Sequence, residues 1–180
     1  MQTTADENTL ISGIKTGDRA AFRQIYEKYV SRMYALALRM AGNTQAAEDL
    51  TQEIFIRVWN KIGLFNGKSS FHTWITRVAI NVILNQVRSR GTNKELDINK
   101  LTRLTANESA YDRETIMDLE NAVSRLPPRA RLVLILHDIE GYKHNEISRM
   151  AGIAEGTSKA LLHKARKMVR KELNHELQEI

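Results

Sequence analysis

Apolar residues recur at intervals of three and four along nearly all of this chain, and nowhere do they alternate over the length of a strand. That spacing places them on one stripe of a helix and leaves a sheet without a buried face. Only two prolines occur, adjacent at Pro127 and Pro128, so little interrupts the helical pattern. The expected fold class is all-α.

A short helix is expected around Asn8 to Lys15. Phe22, Tyr26, Tyr29, Met33, Leu36 and Met40 then mark one face of a long amphipathic helix that ends at Ala41-Gly42-Asn43. A helix from about Thr44 to Ile62 and another from about Ser70 to Arg88 follow, the latter with Ser69 and Ser70 as capping candidates. From Gly91 to about Glu114 the period is lost among charges, Asn and Thr, which suits a linker. It returns at Ile116 and runs to Leu126, where the two prolines end one helix and open the next, whose stripe is Leu132, Val133, Leu136 and Ile139. Gly141 stops it; a short helix from His144 to Met150, a turn at Gly152 and a last helix from Glu155 to about Leu177 complete the chain. The expected organisation is two small helical domains, 8–90 and 116–175, joined by a flexible linker over 91–115.

The 180 residues carry a net charge of +6, which favours a polyanionic partner. The complete lack of cysteine excludes disulfides, thiolate metal sites and a cysteine nucleophile. Residues 1–9 are polar and acidic, unlike a signal peptide, and no apolar run is long enough for a membrane span, so a cytoplasmic protein without membrane insertion is expected.

Charge is concentrated in the last helix. At roughly 100° per residue, Ser158, Leu161, Leu162, Ala165, Met168, Val169 and Leu173 gather on one side, and Lys159, His163, Lys164, Arg166, Lys167, Arg170 and Lys171 on the other. Together with the short helix and glycine turn before it, this is the outline of a helix-turn-helix. Lys159, His163 and Lys164, near the start, are expected to approach bases, and Arg166, Lys167 and Arg170 to neutralise phosphates. The alternative is a solvated lysine-rich helix end.

Over Ala47 to Trp59 the core stripe is Ala47, Leu50, Ile54 and Val58, while Asp49, Gln52, Phe55, Ile56 and Trp59 lie on or near the other face. Large apolar groups beside carboxylates suit a protein-docking surface. Phe55 and Trp59 equally suit packing against neighbouring helices.

This helix, with its Glu-Asp-Leu, Gln-Glu and Phe, resembles the polymerase-clamp-binding helix of the sigma-70 family. Phe71 to Asn81, Leu126-Pro127-Pro128-Arg129, Glu140-Gly141, and Glu146-Ile147 through His163-Lys164-Ala165-Arg166 continue the resemblance, which points to the extracytoplasmic-function subfamily. The resemblance implies a sigma factor with a region 2 helical bundle and a region 4 helix-turn-helix. Asp49, Gln52, Glu53, Phe55, Ile56 and Trp59 would bind the clamp of the polymerase largest subunit, and the flap of the second-largest subunit is implied as a further contact. The loop Gly63 to Ser70, with Phe65, Asn66 and Lys68, would capture unpaired bases of the minus-10 element, with Asn85, Arg88 and Arg90 lining adjacent DNA; Phe65 also suits a core position. Lys159, Ala160, His163, Lys164, Arg166, Lys167 and Arg170 would meet the minus-35 element. Many relatives carry Val, Ser and Arg where this chain has Ser158, Ala160 and Leu161, which leaves fewer donors for base reading. Promoter DNA, core RNA polymerase and an anti-sigma factor are the implied partners, and no cofactor is implied.

Rival readings are weaker. Gly67-Lys68-Ser69 resembles the end of a phosphate-binding loop, but Gly63 stands one position too close and a helix leads in. His137, Asp138, Glu140 and His144 straddle the Gly141 break and lack the spacing of a one-face metal pair. A stand-alone helix-turn-helix regulator would not need the docking helix. No nucleophile, base and orienting group converge, so no enzyme is expected.

Overall fold

The computed structural model describes the backbone of residues 3–91 and 119–176 and the side chains of 7–86 and 119–174. All regular structure among the described residues is helical. The expected linker, 91–115, lies outside them except for Gly91, as does the far end of the last helix at Leu177.

The first lobe contains α1 (Thr3–Lys15), α2 (Arg19–Ala41), α3 (Thr44–Lys61), a 3-10 turn (Ile62–Leu64) and α4 (Phe71–Gly91). Side chains fix the starts of its helices. The Asp18 carboxylate accepts from the N–H groups of Ala20 and Ala21 at 2.8 and 3.1 Å, Asn43 accepts from Ala46 at 2.8 Å, and the Ser70 hydroxyl accepts from Thr73 at 3.1 Å. Gly42, at φ 76°, ends α2 in the left-handed conformation that glycine adopts without a Cβ clash. Ile25, Met33 and Leu36 from α2, Ile54 and Val58 from α3, and Ile75, Ile80 and Ile83 from α4 close the core. The expected stripe of α2 is off at one position: Tyr26 is 41% exposed, and Ile25 and Ala21 are buried instead.

The second lobe contains α5, of which 119–124 are described, then α6 (Pro128–Leu134), α7 (His144–Ala151) and α8 (Glu155–Glu176). Pro128 opens α6, where its missing N–H costs nothing. The helix then widens into a π turn over Ile135–Ile139, closed by the Glu140 N–H on the Ile135 carbonyl at 3.0 Å. The extra residue rotates Ile139 out of the stripe, so it is 50% exposed rather than packed with Leu132, Val133 and Leu136. It also aims near neighbours in opposite directions: Asp138 meets α8 and Glu140 meets α2.

The lobes touch along two lines, α2 against α6 and α4 against α7. Buried apolar residues form one continuous cluster across both. Arg131 bridges them with a hydrogen bond to the Met40 carbonyl at 2.9 Å and holds its own lobe through the Leu126 carbonyl at 3.2 Å.

Candidate functional site

Three exposed surfaces carry chemistry. The first is the helix-turn-helix. Gly152, at φ 63°, reverses the chain after α7, and its N–H caps the Ser148 carbonyl. The Ser148 hydroxyl donates to the Ile153 carbonyl at 2.6 Å, tightening the turn. Ser158, Leu162 and Ala165 are buried and seat α8 on its lobe. Ser158 bonds the His144 imidazole Nδ1 at 2.9 Å, which fixes the start of α8 against α7. Lys159, Ala160, His163, Lys164, Arg166, Lys167 and Arg170 are all exposed on the other side.

These cations are not equivalent. Lys159 pairs with Glu155 at 2.8 Å, one turn earlier. Arg166 is held by Asp138 through two hydrogen bonds, at 3.0 Å from Nε and 2.6 Å from Nη2. That guanidinium keeps the Asp138 carboxyl below its ordinary range, with a further contribution from the His137 hydrogen bond. Lys164, Lys167 and Arg170 have no carboxylate partner among the described residues. They are the part of the ridge whose charge no described carboxylate offsets.

The second surface is the outer face of α3. Asp49, Gln52 and Ile56 are exposed, Ile56 by 54%, and Glu53 is half-buried with an ion pair to Arg57 at 2.6 Å. Phe55 is 4% exposed, so its placement on this face is corrected. It lies under α2, with ring centroids 4.6 Å from Tyr26 and 6.4 Å from Phe22. Trp59 is half-buried against Phe22 at 5.0 Å. The apolar groups that this face offers are therefore Ile56, part of Trp59 and the exposed edge of Tyr26, a residue that the stripe had assigned to the core.

The third surface lies around the loop before α4. Asn66, Lys68 and Asn85 are exposed. Phe65 is 7% exposed and packs edge-on to Phe71 at 5.4 Å and beneath Trp74 at 5.5 Å, a core position rather than an open pocket. Lys15 donates to its carbonyl at 2.7 Å and so ties the loop to α1. Arg88 belongs to α4, but its side chain is outside the described residues. Beside the loop, α3 and α4 enclose a groove of about 340 Å³ lined by Arg57, Lys61, Trp74, Arg77, Asn81 and Asn85, with Leu64 at its edge. Of the described side chains expected from sequence, Phe65, Asn66, Lys68 and Asn85, it is Asn85 that lines the groove. The i, i+4, i+8 series Arg77, Asn81 and Asn85 on one helix was a signal available for Arg77 and Asn81, but not for Arg57 and Lys61, which come from α3.

No group of three or more His, Asp or Glu side chains is placed to hold a metal among the described residues. Glu140 instead faces arginines of α2.

Residues 25–92 match the Sigma-70 region 2 family model, and residues 116–169 match the Sigma-70, region 4 model. SigW of Bacillus subtilis, an ECF RNA polymerase sigma factor, is 30% identical over 91% of this chain and 94% of its own. The chain belongs to the extracytoplasmic-function sigma factors of the sigma-70 family. As a sigma factor it binds core RNA polymerase and directs promoter-specific initiation; it is an initiation factor rather than a classical enzyme. SigE of Mycolicibacterium smegmatis, another ECF RNA polymerase sigma factor, is 35% identical over 86% of this chain, which spans 63% of SigE's length. Among solved structures, the sigma factor RpoE from Bartonella quintana, in complex with the anti-sigma factor NepR, superimposes with a TM-score of 0.68 at 23% identity, covering 85% of this chain and 96% of its own. CnrH, in complex with the cytosolic domain of CnrY, gives 0.66 at 18% identity, covering 94% and 98%. Both share the fold of this sigma factor.

Proposed function

We infer that the three surfaces divide the work of initiation. The α3 face, with Asp49, Gln52, Glu53, Ile56 and Trp59, docks on the clamp of the polymerase largest subunit. The groove between α3 and α4 takes the unpaired minus-10 strand, where Arg57, Lys61 and Arg77 neutralise phosphates and Trp74 offers a stacking face. Asn81, Asn85, Asn66 and Lys68 supply donors and acceptors for base edges there. The α8 ridge lies in the major groove of the minus-35 element, with Lys159, Ala160 and His163 toward bases and Lys164, Lys167 and Arg170 toward phosphates. Arg166, already bound to Asp138, acts as a fixed guanidinium with its remaining N–H groups toward the backbone. The second lobe also contacts the flap of the second-largest subunit.

The observation that supports this reading best is the groove. A cationic, tryptophan-bearing cleft on the lobe opposite the helix-turn-helix serves unpaired nucleic acid and has no use in an operator-binding repressor. No helix among the described residues is long and apolar enough to cross a membrane, in keeping with a cytoplasmic site of action. The structural relatives bound to NepR and to the cytosolic domain of CnrY support an anti-sigma factor as a further partner.

The test is transcription from a template carrying a pre-melted bubble, with Trp74→Ala and Arg77→Ala in the full chain. Both variants are expected to bind core polymerase normally and to capture the unpaired strand weakly. Unchanged capture by both would remove the groove from this role.

A further inference from the structure

The loop that carries Asn66 and Lys68 is shaped locally and anchored remotely. The Phe65 N–H closes the 3-10 turn on the Ile62 carbonyl at 3.0 Å, and the Asn66 side chain accepts from the Lys68 N–H at 3.2 Å. Gly67, at φ 74°, turns the chain between them. These bonds set the curve of the loop without fixing it to the lobe. Anchorage comes at Phe65. Its ring packs on Phe71 and Trp74, and its carbonyl accepts from Lys15 Nζ at 2.7 Å, across 50 residues of sequence. The same ammonium lies 5.9 Å from the centroid of the Phe65 ring, within reach of its π face.

Lys15 stands on a rigid base. It ends α1, and α1 is pinned to α2 along its length. Ile11 and Ile14 are buried, and Gly13 lets the helices approach so closely that a Cβ there would lie 3.2 Å from the Ala21 Cβ. Near the other end Glu7 accepts from Lys28 Nζ at 2.8 Å and from the Tyr29 hydroxyl at 2.7 Å. A recognition group on a loop is only as precise as the support behind it, and here the support is a helix none of whose residues lines the groove.

The anchored residue has recognition groups on both sides. Asn66 follows it in the chain, and Trp74, which lines the groove, packs on its ring. Stacking on Trp74 and phosphate contacts with Arg57, Lys61 and Arg77 are blind to base identity, whereas hydrogen bonds from Asn66 and Lys68 to a base edge are not. The groups that discriminate are therefore the ones whose placement depends on the loop. We propose that Lys15 is a positioning residue for base selection: by holding the Phe65 carbonyl it sets where Asn66 and Lys68 meet the unpaired strand, which makes α1 part of the selective machinery without touching DNA. The proposal rests on the assignment of the loop and groove to that strand.

Two full-chain variants test it: Lys15→Met removes the donor and keeps the stem, and Lys15→Arg restores a charged donor. In the free protein, amide hydrogen exchange over 65–70 is expected to quicken severalfold in Lys15→Met and to return toward the natural rate in Lys15→Arg. Equal rates in the natural chain and Lys15→Met would overturn the proposal. With core polymerase, the proteins are then offered single-stranded oligonucleotides in which each position of the minus-10 element carries each of the four bases in turn. Lys15→Met is expected to lose about tenfold of the preference for the favoured base, the effect of one hydrogen bond to a charged group. Core association, duplex affinity and helicity should stay as in the natural chain, and Lys15→Arg should recover most of the preference. Undiminished preference, equal weakening on every base, or a Lys15→Arg protein as poor as Lys15→Met would overturn the proposal. A natural chain without base preference would count against the groove assignment instead, and exchange would still decide whether Lys15 holds the loop.

Discussion

Phe55 and Asp49 sit on one helix with opposite fates, and they separate stability from function. Phe55 fills the space beneath Phe22 and Tyr26, so Phe55→Ala is expected to cost about 3–5 kcal/mol in denaturant unfolding. Asp49→Ala, on the exposed face, is expected to change stability by less than about 0.5 kcal/mol while weakening association with core polymerase. The periodicity of α3 identified Ala47, Leu50, Ile54 and Val58 as core, and all four are buried. It could not place Phe55, because a wheel gives directions around one axis and not where the next helix lies; α2 reaches over that side. His72 yields a pH dependence. Burial lowers its pKa, with Arg32 acting in the same direction and Glu140 and Glu7 opposing. Its Nδ1 is buried with no hydrogen-bond partner among the described residues, between the Tyr29 and Tyr142 rings. A proton there would bury an unpaired N–H. With the folded value below the unfolded one, the unfolded chain binds the extra proton first. The stabilisation is therefore complete above about pH 6.5 and is lost as pH falls through the folded value. Unfolding midpoints should fall between pH 7.5 and 5.5, less so in His72→Gln. Some dependence should persist in that variant because His144 is shifted the same way. An identical fall in both proteins would contradict this role.

At the scale of elements, the helix boundaries were legible wherever a residue carries its own stop or start signal. Gly42, Gly141, Gly152, the proline pair and Ser70 mark ends or turns that the structure shows at those positions. Asp18, which the sequence reading passed over, caps α2 and is testable: Asp18→Ala should cost about 1 kcal/mol of stability and leave DNA affinity unchanged. The π turn was not legible, because widening by one residue leaves no mark in residue type and breaks the very period used to read the helix. Ile139 was misplaced for that reason, and the opposite aims of Asp138 and Glu140 depend on it. The two-sided character of α8 was legible, but its ion pairs were not, since Asp138 is remote in sequence from Arg166. Lys167 has no carboxylate partner among the described residues, and Lys167→Ala should reduce the slope of log affinity against log salt by about one, alike on all duplexes. An unchanged slope would take Lys167 off the phosphate backbone.

For the whole molecule, two lobes with different chemistry could be inferred from the sequence, and their contact could not. Lobe packing combines a shared apolar cluster with a few long-range pairs, Arg32 with Glu140, His72 with Tyr142 and Arg131 with the Met40 carbonyl, which no local pattern encodes. The groove was missed in the same way, because its cations come from two helices that meet only in the folded lobe. On the proposed division of labour, one chain docks on polymerase, holds unpaired DNA and reads duplex DNA with three separate faces. The most direct test of that division is to add the purified protein to core RNA polymerase with duplex genomic fragments and map the transcript 5′ ends. Starts should cluster at a fixed distance downstream of a shared pair of sequence elements, and should vanish when either the protein or core is omitted. Duplex binding by the protein alone, with no new starts when core is present, would contradict the account.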